Sequence, residues 1–163
     1  MNDTSKRRIL DSMVWSVSLL FAFGLLIDSA MADSRGFSAT NKAWQAECAS
    51  CHIAYPPKLL PAPAWRRMMA GLDKHFGTDA SVDAPAAAEI RVFLESNAGQ
   101  GKKRGIDGGT LRISETSWFR RKHDEVSAST WKNPKIGTAA NCTACHAGAE
   151  RGDFNDDTVR IPR

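Results

Sequence analysis

Cys48-Ala49-Ser50-Cys51-His52 and Cys142-Thr143-Ala144-Cys145-His146 are two copies of C-x-x-C-H, and together they use all four cysteines of the chain. Two thiols at this spacing can each add to a vinyl group of one porphyrin, and the histidine that follows then lies under the iron as its proximal ligand. Three other chemistries compete. A redox disulfide expects a βαβ context, which the hydrophobic pattern lacks. A Cys₄ zinc site would have to join pairs about ninety residues apart and would leave both adjacent histidines without a role. Chance produces a single C-x-x-C-H, but hardly two with no cysteine left over. Cys48, Cys51, Cys142 and Cys145 are therefore read as attachment points for two covalently bound haem c groups, with His52 and His146 as proximal iron ligands.

The chain has four histidines, so His75 and His123 remain, one in each half. Bis-histidine coordination at both haems would use every histidine. His75 follows Met68 by seven residues, near the apolar stripe of an expected helix, and His123 can share an inward face with Phe119 and Val126. An isolated histidine on an apolar face is ordinarily a packed side chain; the distribution of one per half favours distal ligation. Met68 and Met69 compete at the first haem, although core packing is the default role of methionines on such a stripe. Methionine ligation would raise the reduction potential, so the choice bears on function. Spacing leaves open which haem each spare histidine serves.

The elements that must position these residues are helical, and no stretch alternates like a strand. A short helix over 40–51 is expected to deliver the first motif. The stripe Trp65, Met68, Met69, Leu72 and Phe76 predicts an amphipathic helix over 64–76. Asp83 can cap a third, with Pro85 in its first turn and Ile90, Phe93 and Leu94 inward. A longer helix is expected over 116–130 and a short one running into Cys142. Pro56-Pro57 and Pro61-Ala62-Pro63 predict a stiff, extended segment. Trp44, Trp65, Trp118 and Trp131 are expected to pack on the porphyrins. The acidic group Asp153, Asp156 and Asp157 does not match a calcium loop and reads as a solvated tail. The fold class is all-α and loop-rich: two small helical lobes, about 33–98 and 110–163, wrapped around two haems and joined by a glycine-rich basic link at about 97–109.

Residues 1–32 read as a cleaved signal peptide, with Lys6, Arg7 and Arg8 ahead of an apolar run and Ala30-Met31-Ala32 as the cleavage site. An uncleaved anchor is the competing reading. Cleavage would leave residues 33–163 in an oxidising compartment, the periplasm. The segment removes three basic and three acidic residues, so the formal charge stays at +4, and haem propionates would lower it; nucleic-acid binding gains no support.

Several runs extend beyond the haem motifs: Glu47 to Pro61, Lys74-His75-Phe76-Gly77, Arg112-Ile113-Ser114-Glu115-Thr116, Ala140 to His146 and the closing Val159-Arg160-Ile161-Pro162-Arg163. In these the chain resembles the dihaem cytochrome c (DHC) family over nearly all of residues 33–163. The resemblance implies a periplasmic electron-transfer protein with bis-histidine haems. It also implies two partners, an SHP-type monohaem cytochrome and a b561-type membrane cytochrome b. From the residues themselves, irons closed on both faces by protein ligands admit electrons and no substrate, which describes a carrier and not an enzyme. The alternative is a small dihaem enzyme, peroxidase-like, or a gas sensor, either of which needs one open haem.

Overall fold

Capping side chains set where the helices begin. In the computed structural model, which describes residues 37, 39–101 and 109–163, the first helix (α1, Lys42–Cys48) starts at Asn41, whose side chain accepts from the Trp44 N–H at 2.8 Å. The third (α3, Ala84–Ser96) is capped by Asp83 on the Ala86 N–H at 2.9 Å, with Pro85 in its first turn as expected. Thr116 and Ser127 do the same for α4 (Ser117–Lys122) and α5 (Ala128–Trp131). Each such cap is worth about 1 kcal/mol. The second helix (α2, Ala62–Ala70) has no side-chain cap and starts at Pro61 with Pro63 in its first turn, where a missing N–H costs nothing. The expected signal segment 1–32 and the link residues 102–108 lie outside the described residues.

The core of the first half lies where α1, α2 and α3 meet. Trp44, Leu60, Ala64, Trp65, Ile90 and Leu94 form one buried cluster, with Met68, Met69 and Phe93 partly buried against it. Ile90 and Leu94 are one helical turn apart and fully buried, each worth about 2 kcal/mol of apolar burial. The Trp65 indole N–H donates to the Pro57 carbonyl at 2.6 Å, so the ring is both packed and paired. Gly99 is required by a close approach: its N–H bonds the Leu60 carbonyl at 2.9 Å, and a methyl group there would collide with the Lys58 carbonyl. Outside the core, Glu95 of α3 pairs with Arg66 of α2 and with Arg91.

The second half is built mostly of turns around buried Thr116, Phe119, Ile136 and Ala149. Thr116 is held on both sides, its hydroxyl donating to the Ile113 carbonyl at 2.8 Å and accepting from the Phe119 N–H at 3.1 Å. Short 3₁₀ turns complete the chain at Pro57–Leu59, Leu72–Lys74, Ile113–Glu115, Cys142–Ala144, Ala149–Arg151 and Asp156–Thr158. No strand occurs among the described residues, only an isolated bridge between His75 and Thr78.

Four expected elements are corrected. The helix predicted over 64–76 ends at Ala70, because Gly71 breaks it and the chain tightens into the Leu72–Lys74 turn. The one predicted over 116–130 is two helices separated by a turn after His123. No helix runs into Cys142; a 3₁₀ turn starts there instead. The proline-rich stretch is not simply extended, since Pro57 opens a 3₁₀ turn and Pro61 opens α2. Trp44 and Trp65 belong to the protein core.

Candidate haem sites

α1 ends at Cys48, and the chain leaves the helix through a turn that carries Cys51 and His52. The His52 Nδ1 lies 2.7 Å from the Ile53 carbonyl oxygen, which fixes the proton on that nitrogen and leaves Nε2 as a free lone pair. His75 arrives from the other side on a tight turn. Its carbonyl accepts from the Thr78 N–H at 3.0 Å, and both intervening residues have positive φ, 51° at Phe76 and 99° at Gly77. Glycine accepts that geometry, whereas phenylalanine is strained there by about 1 kcal/mol or more. Phe76 is held in place by its contact with the His75 ring, 4.8 Å between centroids, and by the Arg112 guanidinium 4.2 Å over its face. The result is that the His75 ring lies 6.0 Å from that of His52, with 32° between the planes.

The second motif repeats the arrangement with different parts. Its 3₁₀ turn brings the His146 N–H to the Cys142 carbonyl at 2.8 Å. His123 caps the C-terminus of α4, where its Nδ1 sits 2.8 Å from the Phe119 carbonyl and its ring stacks on the Phe119 ring at 4.0 Å. The His123 and His146 rings are 6.2 Å apart, with Trp131 and Phe154 alongside. A cavity of about 370 Å³ opens beside His123, lined by Ser114, Phe119, Arg120, Val126 and Trp131 among others. Val126 thus shares the surroundings of His123 although the helix expected to carry both is broken between them.

Two observations test whether these residues fit haem. Two metal–imidazole bonds of about 2 Å each, with the half-width of each ring added, put the ring centres about 6 Å apart, which is the separation in both pairs. The thiols are the second. Burial first, and Glu47 second, push Cys48 up to about 11; burial likewise pushes Cys142 to about 11 and raises Cys145. Redox-active C-x-x-C pairs depress a thiol pKa, and none of these three thiols shows that shift. Burial, then the facing His52 and Arg112, lower His75; burial and the facing His123 lower His146 against the opposing pull of Asp156 and Asp153. Both rings are thus held neutral, the state a metal ligand needs. Their Nδ1 atoms are buried without a protein hydrogen-bond partner.

The structure therefore brings His75 to the first motif and His123 to the second, while Met68 and Met69 pack against the core. Tyr55, Phe76, Arg112 and Phe154 belong to these surroundings too and were not singled out as site residues from sequence. Tyr55 stacks on His52 at 4.7 Å and donates its hydroxyl to the Ala140 carbonyl at 2.7 Å. Burial, and Cys142 after it, push its phenol up to about 12, so it remains a donor at neutral pH.

This geometry is that of a c-type cytochrome. Residues 44–154 match the dihaem cytochrome c family, and the chain belongs to that family. It is similar to the diheme cytochrome c of Rhodobacter sphaeroides, at 44% identity over 72% of this chain and 99% of that one, with a TM-score of 0.64. It is also similar to the diheme cytochrome of Shewanella baltica OS155, at 43% identity over 75% of this chain and 93% of that one, with a TM-score of 0.67. No curated protein sequence matches it. Membership implies two covalently bound haem c groups and electron transfer as the general function. Among the described residues, no helix is long and apolar enough to cross a membrane.

Proposed function

We propose that the chain is a periplasmic bis-histidine electron carrier, receiving electrons from a b561-type membrane cytochrome b and passing them to an SHP-type haem protein. The observation that carries the ligand assignment is the pair of facing histidines at each motif, 6.0 Å apart at the first and 6.2 Å at the second. Cys48 and Cys51 would hold the first haem, with His52 and His75 as its axial ligands. Cys142 and Cys145 would hold the second, with His146 and His123. When bound, haem supplies a reversible one-electron change between ferrous and ferric iron. With haem bound, two histidine ligands at each iron would leave no position open to small molecules, and the carbonyls of Ile53 and Phe119 orient one ring in each pair. Ligation by two imidazoles and no methionine favours low potentials.

The expected signal segment supports export, and covalent haem attachment supports a periplasmic address. The partners rest on the family resemblance, and exposed charge offers them a docking surface. Arg120, Arg121 and Lys122 are exposed beside the His123 cavity, and Arg120 lines it. Contacts between exposed charges steer encounter and are screened by salt, so transfer to a soluble haem acceptor should slow as ionic strength rises. Stopped-flow mixing with an SHP-type acceptor tests this directly. Peroxide turnover faster than electron transfer, or rapid carbon monoxide binding by the untouched reduced protein, would reassign the chain to the enzyme or sensor class.

A further inference from the structure

The sole tyrosine of the chain touches the first haem motif and the loop that leads into the second. Its ring lies on the His52 imidazole, 4.7 Å between centroids and 28° between planes. Its hydroxyl reaches across 85 positions of sequence to the Ala140 carbonyl at 2.7 Å. That carbonyl also accepts from the Cys142 N–H at 3.0 Å and from the Cys142 thiol at 3.6 Å. Haem attachment would consume the thiol proton and leave the Tyr55 hydroxyl and the Cys142 N–H as the two donors at this oxygen. One rigid side chain therefore packs flat on the axial histidine of the first motif and ties down the backbone that opens the second.

We propose that Tyr55 is a positioning residue that locks the two haem attachment motifs into one fixed relation and so sets the communication between the haems. The proposal rests on the reading of His52 as an axial ligand. Tyr55 itself undergoes no redox or covalent step; its phenol stays protonated and neutral. Its two contacts have separable consequences. The stack fixes the plane of His52, and the orientation of an axial imidazole is read in the electron-paramagnetic g-values of a low-spin ferric haem. The hydroxyl restrains the 138–142 loop, which otherwise relies on local turn hydrogen bonds such as Asn141 N–H to the Thr138 carbonyl. A neutral hydrogen bond of ordinary strength corresponds to about a fivefold change in an opening equilibrium.

The test uses the mature holoprotein with Tyr55→Phe, which keeps the stack and loses the hydrogen bond, and Tyr55→Leu, which loses both. Tyr55→Phe should retain wild-type g-values, while the Cys142 amide exchanges about fivefold faster and reduction of one haem affects the potential of the other less. Tyr55→Leu should in addition shift one set of g-values, the set that disappears in His75→Ala. Wild-type amide exchange and wild-type coupling in Tyr55→Phe would overturn the proposal. So would a Tyr55→Leu protein whose only change is a lower melting temperature. A native protein without two low-spin signals would overturn the axial-ligand reading and the stacking half with it. Faster Cys142 exchange in Tyr55→Phe would still support the tie between the motifs.

Discussion

On the proposed ligation, His75 and His123 are held with unequal strength, and the inequality predicts which haem opens first. To leave an iron, the His123 ring must give up its hydrogen bond to the Phe119 carbonyl at 2.8 Å and its face-to-face contact with the Phe119 ring at 4.0 Å. A net hydrogen bond is worth about 1 kcal/mol and an aromatic contact about 1 kcal/mol. The His75 ring has an aromatic neighbour of its own, Phe76 at 4.8 Å, but no hydrogen-bond partner at Nδ1, and its turn contains the strained Phe76. The aromatic contacts largely offset, and the remaining hydrogen bond, about 1 kcal/mol, corresponds to roughly a fivefold difference in the population of the detached state. Strain relief at Phe76 acts in the same direction. Under carbon monoxide the reduced protein should therefore react poorly and in two phases, the first haem reacting about fivefold faster than the second. Stopped-flow absorbance separates the phases, and His75→Ala assigns them: the faster phase should become immediate while the slower stays at its wild-type rate. Phe119→Ala, which removes the stack and keeps the carbonyl, should bring the two rates close together. Equal rates at the two haems, or a faster phase that survives His75→Ala unchanged, would refute this assignment of ligand strength.

Intact-mass measurement of the exported protein should give a chain that begins near Asp33 and carries two haems, and Cys145→Ala should leave one thioether link at the second haem and lower the yield. Gly99→Ala should cost about 1–3 kcal/mol, because the added methyl meets the Lys58 backbone and not a side chain that could move aside; thermal melting of the holoprotein reads this directly. Glu95 is held below its ordinary value of 4.5, first by its hydrogen bond from Arg66. A depressed carboxylate pKa contributes stability above the unfolded value and loses it as pH falls through the folded one. Glu95→Gln should therefore lower the melting temperature at neutral pH and match the wild type in acid below that folded value. A constant difference across the whole pH range would show that the charge is not the source.

What could be read from the amino-acid order is what depends on near neighbours. The C-x-x-C-H motifs are local, because thiols and histidine must meet one porphyrin edge within five residues. The Asp83 cap with Pro85, and the inward Ile90 and Leu94, follow from one-dimensional rules of helix start and period, and the structure repeats them. Periodicity failed where a single residue overrode it. The stripe continued through Leu72 to Phe76, but Gly71 ended the helix and delivered His75 from a left-handed turn. The stretch 116–130 contains no glycine or proline, yet the chain turned after His123, which let that ring fold back onto Phe119. The pairing of each spare histidine with its own motif is a tertiary fact: His52 and His75 are 23 positions apart, as are His123 and His146, and nothing in the spacing brings their rings to about 6 Å. The same is true of Tyr55 and Ala140. Burial of the intervening core decides such contacts, since closing a long loop is repaid only by what packs when the ends meet, and that packing exists only in the folded chain.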